Sequence, residues 1–270
     1  MGTITKLSSV AEGSIGKIDG VTKSSIASVN AQSFGGGGDV ILTNLIQHWD
    51  FNNASFYSGS GTSITDLSDS SKTGTLVNGT SFDSAAPKNA TFDGVNDYME
   101  CDIVNTYGST QTVEFWAKFP DFSNIKRFMF VRNYRSNCST TNGGYAFQFD
   151  AVNKQIMYTP MGVALYRSNT ISASMSTDTW YQFAISMNGT SLRYFLNGSL
   201  INSRTISSTR HQPCQTNLHC RVSTLTRNNG TVNTSFCTTG SIGELRIYTS
   251  NLSDADITSN YDARKSRYGY

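Results

Sequence analysis

Hydrophobic residues recur at every second position through much of this chain, which is the period of strands with one buried face. Residues 112–119 (TVEFWAKF) put Val113, Phe115, Ala117 and Phe119 on one side and Thr112, Glu114, Trp116 and Lys118 on the other. Tyr181, Phe183, Ile185 and Met187 repeat the alternation. It stops at Asn188-Gly189, a pair suited to the positive φ angles of a type I′ turn, and Leu192, Tyr194 and Leu196 carry the return strand. A second Asn-Gly, at 197 and 198, sends the chain back from Ser199 to Ile206, so residues 180–206 read as a three-stranded meander. Leu245, Ile247 and Tyr248 mark a last strand, with Leu245 and Ile247 toward the core and Arg246 toward water. A short helix follows: Ser253 caps it, Asp256 completes a capping box, and Leu252 is placed to staple onto Ile257. That helix is expected to cover one end of the body.

The first 34 residues follow a different pattern, a repeat of period 11. Ile4, Ile15 and Ile26 align, as do Leu7, Ile18 and Val29, while Val10 aligns with Val21. These eight aliphatics fall within about half of a helical wheel. Gly13, Gly16 and Gly20 oppose a helix, each costing about 1 kcal/mol in a helix interior. An extended arm that gains order against a partner or against copies of itself fits better, and a disordered leader is the competing reading. Gly35-Gly36-Gly37-Gly38 then forms a flexible joint. The organisation expected is an arm at 1–34, a linker at 35–38 and one domain at 39–270.

Composition agrees with β structure. Only 15% of the 270 residues are charged, and the net charge of +2 is too small for a nucleic-acid footprint. No stretch approaches the roughly 20 consecutive apolar residues of a membrane span. The N-terminus MGTITKLSSVAEG lacks the apolar core of a secretory signal, so the expectation is a soluble chain made without Sec export.

Six segments, in order, carry a resemblance: LIQHWDFNN at 45–53, DLSDSSKTGTLVNGT at 66–80, ATFDGVNDYMEC at 90–101, TVEFWAKF at 112–119, WYQFAISMNGTSLRYFLNGSLI at 180–201 and GSIGELRIYTSNLSDADITSNY at 240–261. The chain from Leu45 to about Tyr261 resembles the laminin-G-like and pentraxin-like jelly rolls of the concanavalin-A-like class. The fold implied is all-β, an antiparallel two-sheet jelly-roll sandwich with a short C-terminal helix and an extended N-terminal arm. The leader repeats and the ending YDARKSRYGY also resemble structural proteins of tailed phages. That second resemblance implies a virion surface protein, a capsid decoration or a tail or fibre accessory, assembled in the host cytoplasm. It would bind other virion proteins through residues 1–34 and form a homo-oligomer, with trimers common among such appendages. The alternative expectation is a carbohydrate-binding adhesion module that contacts host-surface glycans.

Candidate chemistry is sparse, and no enzyme is expected. A glycan hydrolase needs two carboxylates about 5 to 10 Å apart. The four glutamates, Glu12, Glu100, Glu114 and Glu244, form no Glu-x-Asp-x-x-Glu pattern, and Glu100 with Asp102 reads as a solvated pair at a strand edge. No cofactor is expected apart from calcium, which laminin-G-like and pentraxin-like domains often bind. Asn96 and Asp97 fall where the pentraxin pattern has a ligand pair. The second acidic cluster of that pattern is missing, and Ile242-Gly243-Glu244 stands where many relatives have Ile-Asp-Glu. Cys214, Cys220 and Cys237 are near enough in sequence for a loop disulfide. With His211 and His219, Cys214 and Cys220 also make a four-ligand cluster whose spacing matches no common zinc pattern. Trp49, Trp116 and Trp180 would make a sugar platform if exposed, but each lies in a strand pattern and reads as core.

Overall fold

The computed structural model describes residues 40–103, 110–122, 127–130, 145–150, 152–160, 166–167, 175–206, 218–223, 225–226, 232–233 and 237–270, together with four two-residue strands of the leader. Those four are β1 (Lys17–Ile18), β2 (Val21–Thr22), β3 (Ser28–Val29) and β4 (Gln32–Ser33). β1 pairs with β2 and β3 with β4, both antiparallel, so two small hairpins recur at the 11-residue period of the sequence repeat. Ile18 and Val21 are direct register partners, and Val29 lies in β3. Ile4, Leu7, Val10, Ile15 and Ile26, and the linker 35–38, lie outside the described residues.

The body is a sandwich of antiparallel sheets. One sheet holds β5 (Leu45–Asp50), β8 (Ser81–Asp83), β9 (Asn89–Asp93), β11 (Thr110–Lys118), β16 (Trp180–Asn188), β17 (Ser191–Leu196), β18 (Ser199–Thr205) and β22 (Thr239–Tyr248). Its order is β18-β17-β16-β11-β22-β9-β8, and β5 also pairs with β22. β9 takes residues 239–242 of β22 and β5 takes residues 244–248, so the two lie end to end along one edge of it. The opposing layer has two four-stranded parts. One is β6 (Ser63–Thr65), β7 (Thr73–Val77), β10 (Tyr98–Ile103) and β19 (Leu218–Val222), in the order β19-β10-β7-β6. The other is β12 (Arg127–Phe130), β13 (Tyr145–Asp150), β14 (Gln155–Pro160) and β15 (Tyr166–Arg167), in sequential order. A separate short ladder pairs β20 (Leu225–Thr226) with β21 (Val232–Asn233).

Alternation in the sequence builds the core between the layers. Val113, Phe115, Ala117 and Phe119 meet Tyr181, Phe183, Ile185, Met187, Leu192, Tyr194 and Leu196 from their own sheet, and Met99, Cys101, Cys220 and Val222 from the other. Trp49 joins this core, so the tryptophans are packing residues. The meander at 180–206 is present. Asn197 and Gly198 both have positive φ, 50° and 73°, as a type I′ turn requires. The preceding turn sits one residue later than expected: Asn188 pairs with Ser191, and Gly189 alone carries the positive φ.

Three expectations are corrected. The helix α1 (Asp254–Asp262) does have its capping box on Ser253 and Asp256. It does not close an end of the sandwich. Leu252 and Ile257 pack on Ala184, Phe195 and Tyr248, on the outer face of the larger sheet. The tail continues over that face, with Tyr268 stacked on Trp116 at 4.2 Å between ring centroids. Thr112, Glu114 and Trp116 are buried beneath this cover, as Trp116 was expected to be, and Arg246, expected to face water, is 1% exposed. Glu100 is also not at an edge, because β10 lies between β19 and β7.

Candidate functional site

The covered sheet contains the densest charge cluster among the described residues. Arg246 donates from Nε to Glu114 Oε2 (3.2 Å) and from Nη1 to Glu244 Oε1 (2.9 Å). His48 Nε2 lies 2.9 Å from Glu244 Oε1, and Asn260 of α1 donates to Glu114 Oε2 at 2.8 Å. Arg264 reaches Glu244, and Arg267 reaches Asp50 at 2.7 Å and Glu244 at 3.7 Å. His48, Asp50 and Glu244 bring ligand atoms within 4.8 Å of one another, a grouping that could hold a metal. Three guanidiniums already occupy those oxygens, and their charge opposes a cation there. Desolvation pushes the Glu114 carboxyl up to about 7, and Arg246 opposes that shift. Burial works in the same direction on Glu244, but Arg246, His48 and Arg264 outweigh it and hold that carboxyl well below the usual carboxylate range. The cluster pins the C-terminal segment to the sheet and is closed to ligand.

Gly243 completes that lock. A Cβ there would lie 2.5 Å from the Tyr268 hydroxyl oxygen. The missing aspartate of the Ile-Gly-Glu segment is thus the space that admits the tail.

The other layer presents a different outer face. Along β10, Met99 and Cys101 point into the core while Tyr98 and Glu100 point out and are half-buried. Register places Arg221 of β19 directly opposite Glu100, and Thr75 of β7 on its other side. Arg221 forms an ion pair with Glu100 through Nε, and its guanidinium lies 5.3 Å from the Tyr98 ring centroid. Burial raises the Tyr98 hydroxyl above its ordinary value, with Arg221 opposing the shift. Thr73, Thr75 and Ser63 extend the face outward as an exposed hydroxyl row. An aromatic ring, a guanidinium, a carboxylate and hydroxyls at strand spacing supply apolar contact together with donors and acceptors, the combination a polyhydroxylated ligand needs. Arg221 had no signal in the sequence, since it meets Glu100 across 121 positions.

The remaining expected site residues are placed as follows. Asp97 is 4% exposed; its Oδ2 accepts from the Asp93 backbone N–H, and its buried Oδ1 has no hydrogen-bond partner among the described residues. Desolvation raises its carboxyl above the ordinary value. Asn96 contributes its backbone carbonyl to Asn78 Nδ2 (3.0 Å). Asp93 Oδ1 accepts from the Val95 backbone N–H (2.7 Å). Calcium takes six to eight oxygens. Asp97 and Asp93 fit the start of such a set, while the Asn96 carbonyl is already engaged. Cys220 and Cys237 are buried thiols rather than a disulfide. His211, Cys214 and the His219 side chain lie outside the described residues.

A two-layer antiparallel sandwich with one outer face covered by a C-terminal helix is the architecture of a jelly roll. Residues 92–258, more than half of the chain, match the Laminin_G_3 model, described as the concanavalin A-like lectin/glucanases superfamily, and the chain belongs to that family. No curated protein matches it in sequence. Among solved structures it is similar to the botulinum neurotoxin serotype D binding domain, with TM-score 0.60 and 14% identity over 83% of this chain and 52% of that one. It is similar as well to the binding domain of botulinum neurotoxin DC in complex with SialylT (TM-score 0.59, 11% identity, 82% and 52% covered). A third is domain 4 of AbnA, an extracellular arabinanase of Geobacillus stearothermophilus, in complex with arabinotriose (TM-score 0.54, 16% identity, 81% and 98% covered). The chain spans about half the length of the toxin binding domains and nearly all of the arabinanase domain.

Proposed function

We propose that this chain is a non-catalytic binding module whose head presents the β6–β7–β10–β19 face to a glycan. The observation that carries this reading is the asymmetry of the sandwich among the described residues: α1 and the tail cover one outer face, while the other holds the half-buried Tyr98 and Glu100, with Arg221 paired to Glu100, beside an exposed hydroxyl row. Two of the similar structures were solved with sugar-named ligands, which supports the reading. Catalysis is disfavoured by the chemistry of the carboxylates. Glu100 is neutralised by Arg221, and Glu114 and Glu244 are sealed under the tail. The test is a glycan array with the full chain, followed by titration of any hit against Tyr98→Ala and Glu100→Gln. Each variant should weaken binding at least tenfold. Equal binding by both would move the site elsewhere, and no binding at millimolar sugar would end the glycan reading.

A second reading concerns attachment. The 11-residue sequence repeat recurs in the backbone as two hairpins at the same spacing. This regularity suits an arm that docks on a repeating lattice, such as a phage particle, with the head displayed outward. Deleting residues 1–38 should leave the head soluble and folded and abolish incorporation into particles. Unchanged incorporation would exclude the arm as the anchor.

A further inference from the structure

Cys101 of β10 and Cys220 of β19 are direct register partners across an antiparallel ladder, and both side chains are buried on the core face. We infer that these two cysteines form a redox-controlled staple, a cross-strand disulfide that closes when the protein meets an oxidising environment. Directly opposed residues in an antiparallel pair have Cα atoms about 4.5 to 5.5 Å apart, within the roughly 4.4 to 6.8 Å span of disulfides. The third strand makes room for the rotation required. The neighbour of Cys101 on β7 is Gly74, and a Cβ at Gly74 would lie 2.8 Å from Cys101 Cβ. The Cys101 thiol donates to Thr73 O at 3.4 Å, a weak bond that turning toward Cys220 would replace. Cys237 is buried too, and it neighbours Tyr98 electrostatically. It has no place in the Cys101–Cys220 register.

The oxidant is a low-molecular-weight disulfide such as oxidised glutathione. When β19 parts transiently from β10, one exposed cysteine thiolate attacks it, forming a mixed disulfide and releasing one glutathione thiolate. The second cysteine thiolate then displaces the other glutathione. Two protein thiols thereby lose two protons and two electrons, and one small disulfide becomes two thiols. The bond joins β19, which carries Arg221, to β10, which carries Tyr98 and Glu100. Oxidation would therefore also hold the open face in register, a consequence that rests on the proposed glycan site, whereas the disulfide itself does not.

The experiment equilibrates the full chain across mixtures of reduced and oxidised glutathione, then alkylates it and maps peptides without reduction. The expected result is loss of two thiols, a single cross-link between the peptides holding Cys101 and Cys220, and a Tm higher by on the order of 10 °C in the oxidised form, because the bond closes a long loop. Cys237→Ala should keep the cross-link. The double variant Cys101→Ala with Cys220→Ala should melt at the same temperature at every redox poise. A chain that keeps both thiols under oxidising mixtures, or that links Cys220 to Cys237 instead, overturns the staple. Either result leaves the glycan reading to be judged by sugar titration alone.

Discussion

Arg246→Met tests whether the buried charge cluster holds the C-terminal segment in place. Methionine keeps much of the arginine's volume but removes the one cation paired with Glu114 among the described residues; Glu114 is 0% exposed and keeps the Asn260 amide. Glu244 is less affected, because Arg264 and His48 remain beside it. Breaking a buried pair by removing one partner costs about 3–5 kcal/mol, here because Glu114 must fold with its proton bound and Glu244 loses one of its cations. For a body of this size that corresponds to a fall in Tm of about 10 °C, or a shift in urea midpoint of about 1.5 M. Urea unfolding at pH 7.5, followed by tryptophan fluorescence, reads the change directly because Trp116 and Trp180 lie under the tail. Adding Glu114→Gln to Arg246→Met should restore about half of the loss, because glutamine is neutral without taking up a proton. A single-variant loss under about 1 kcal/mol would mean that water reaches Glu114, and the account of the tail as a sealed cover would be wrong.

Stability should fall as pH rises from about 5 to about 7.5, because Glu114 keeps its proton to about 7 in the folded chain while the unfolded chain releases it near 4.5. Glu114→Gln should flatten that window, and an unchanged slope would assign it to another group. Glu244 has the opposite sign: its depressed folded value makes its stabilisation present above the unfolded value and lost as pH falls through acid, so acid unfolding should begin at higher pH in Glu244→Gln. Gly243→Ala should cost about 1–3 kcal/mol and alter the near-UV circular dichroism of the Trp116–Tyr268 stack, since the added methyl meets the Tyr268 hydroxyl. A wild-type spectrum and Tm would show that the tail can shift freely. Millimolar calcium should raise the Tm by about 2–4 °C in the wild type, in line with about 1 kcal/mol of ligand stabilisation, and not in Asp97→Asn. Identical melting with calcium and with chelator would remove Asn96 and Asp97 as a cation site.

Much of the fold could be read along the chain because strand burial has period two. The residues Val113, Phe115, Ala117 and Phe119 needed no knowledge of their neighbours to be placed inward. The helix start was equally local, since the capping box involves only Ser253 and Asp256. The Asn197-Gly198 turn was legible for the same reason, and the turn at Gly189 slipped by one residue because its position depends on which residue of β17 meets Asn188.

The sequence by itself determined the sandwich: alternating apolar faces, tight turns and one capped helix are local patterns, each set by a few adjacent side chains. What only the tertiary structure decided is which outer face the C-terminal segment covers. Alternation says that Glu114, Trp116 and Arg246 turn away from the core, but not that residues 252–270 will cover them. It says that Tyr98 and Glu100 face outward, but not that Arg221 will meet them from 121 positions away. Both outcomes depend on pairing between distant strands, and hydrophobic period carries no record of which strand becomes the neighbour.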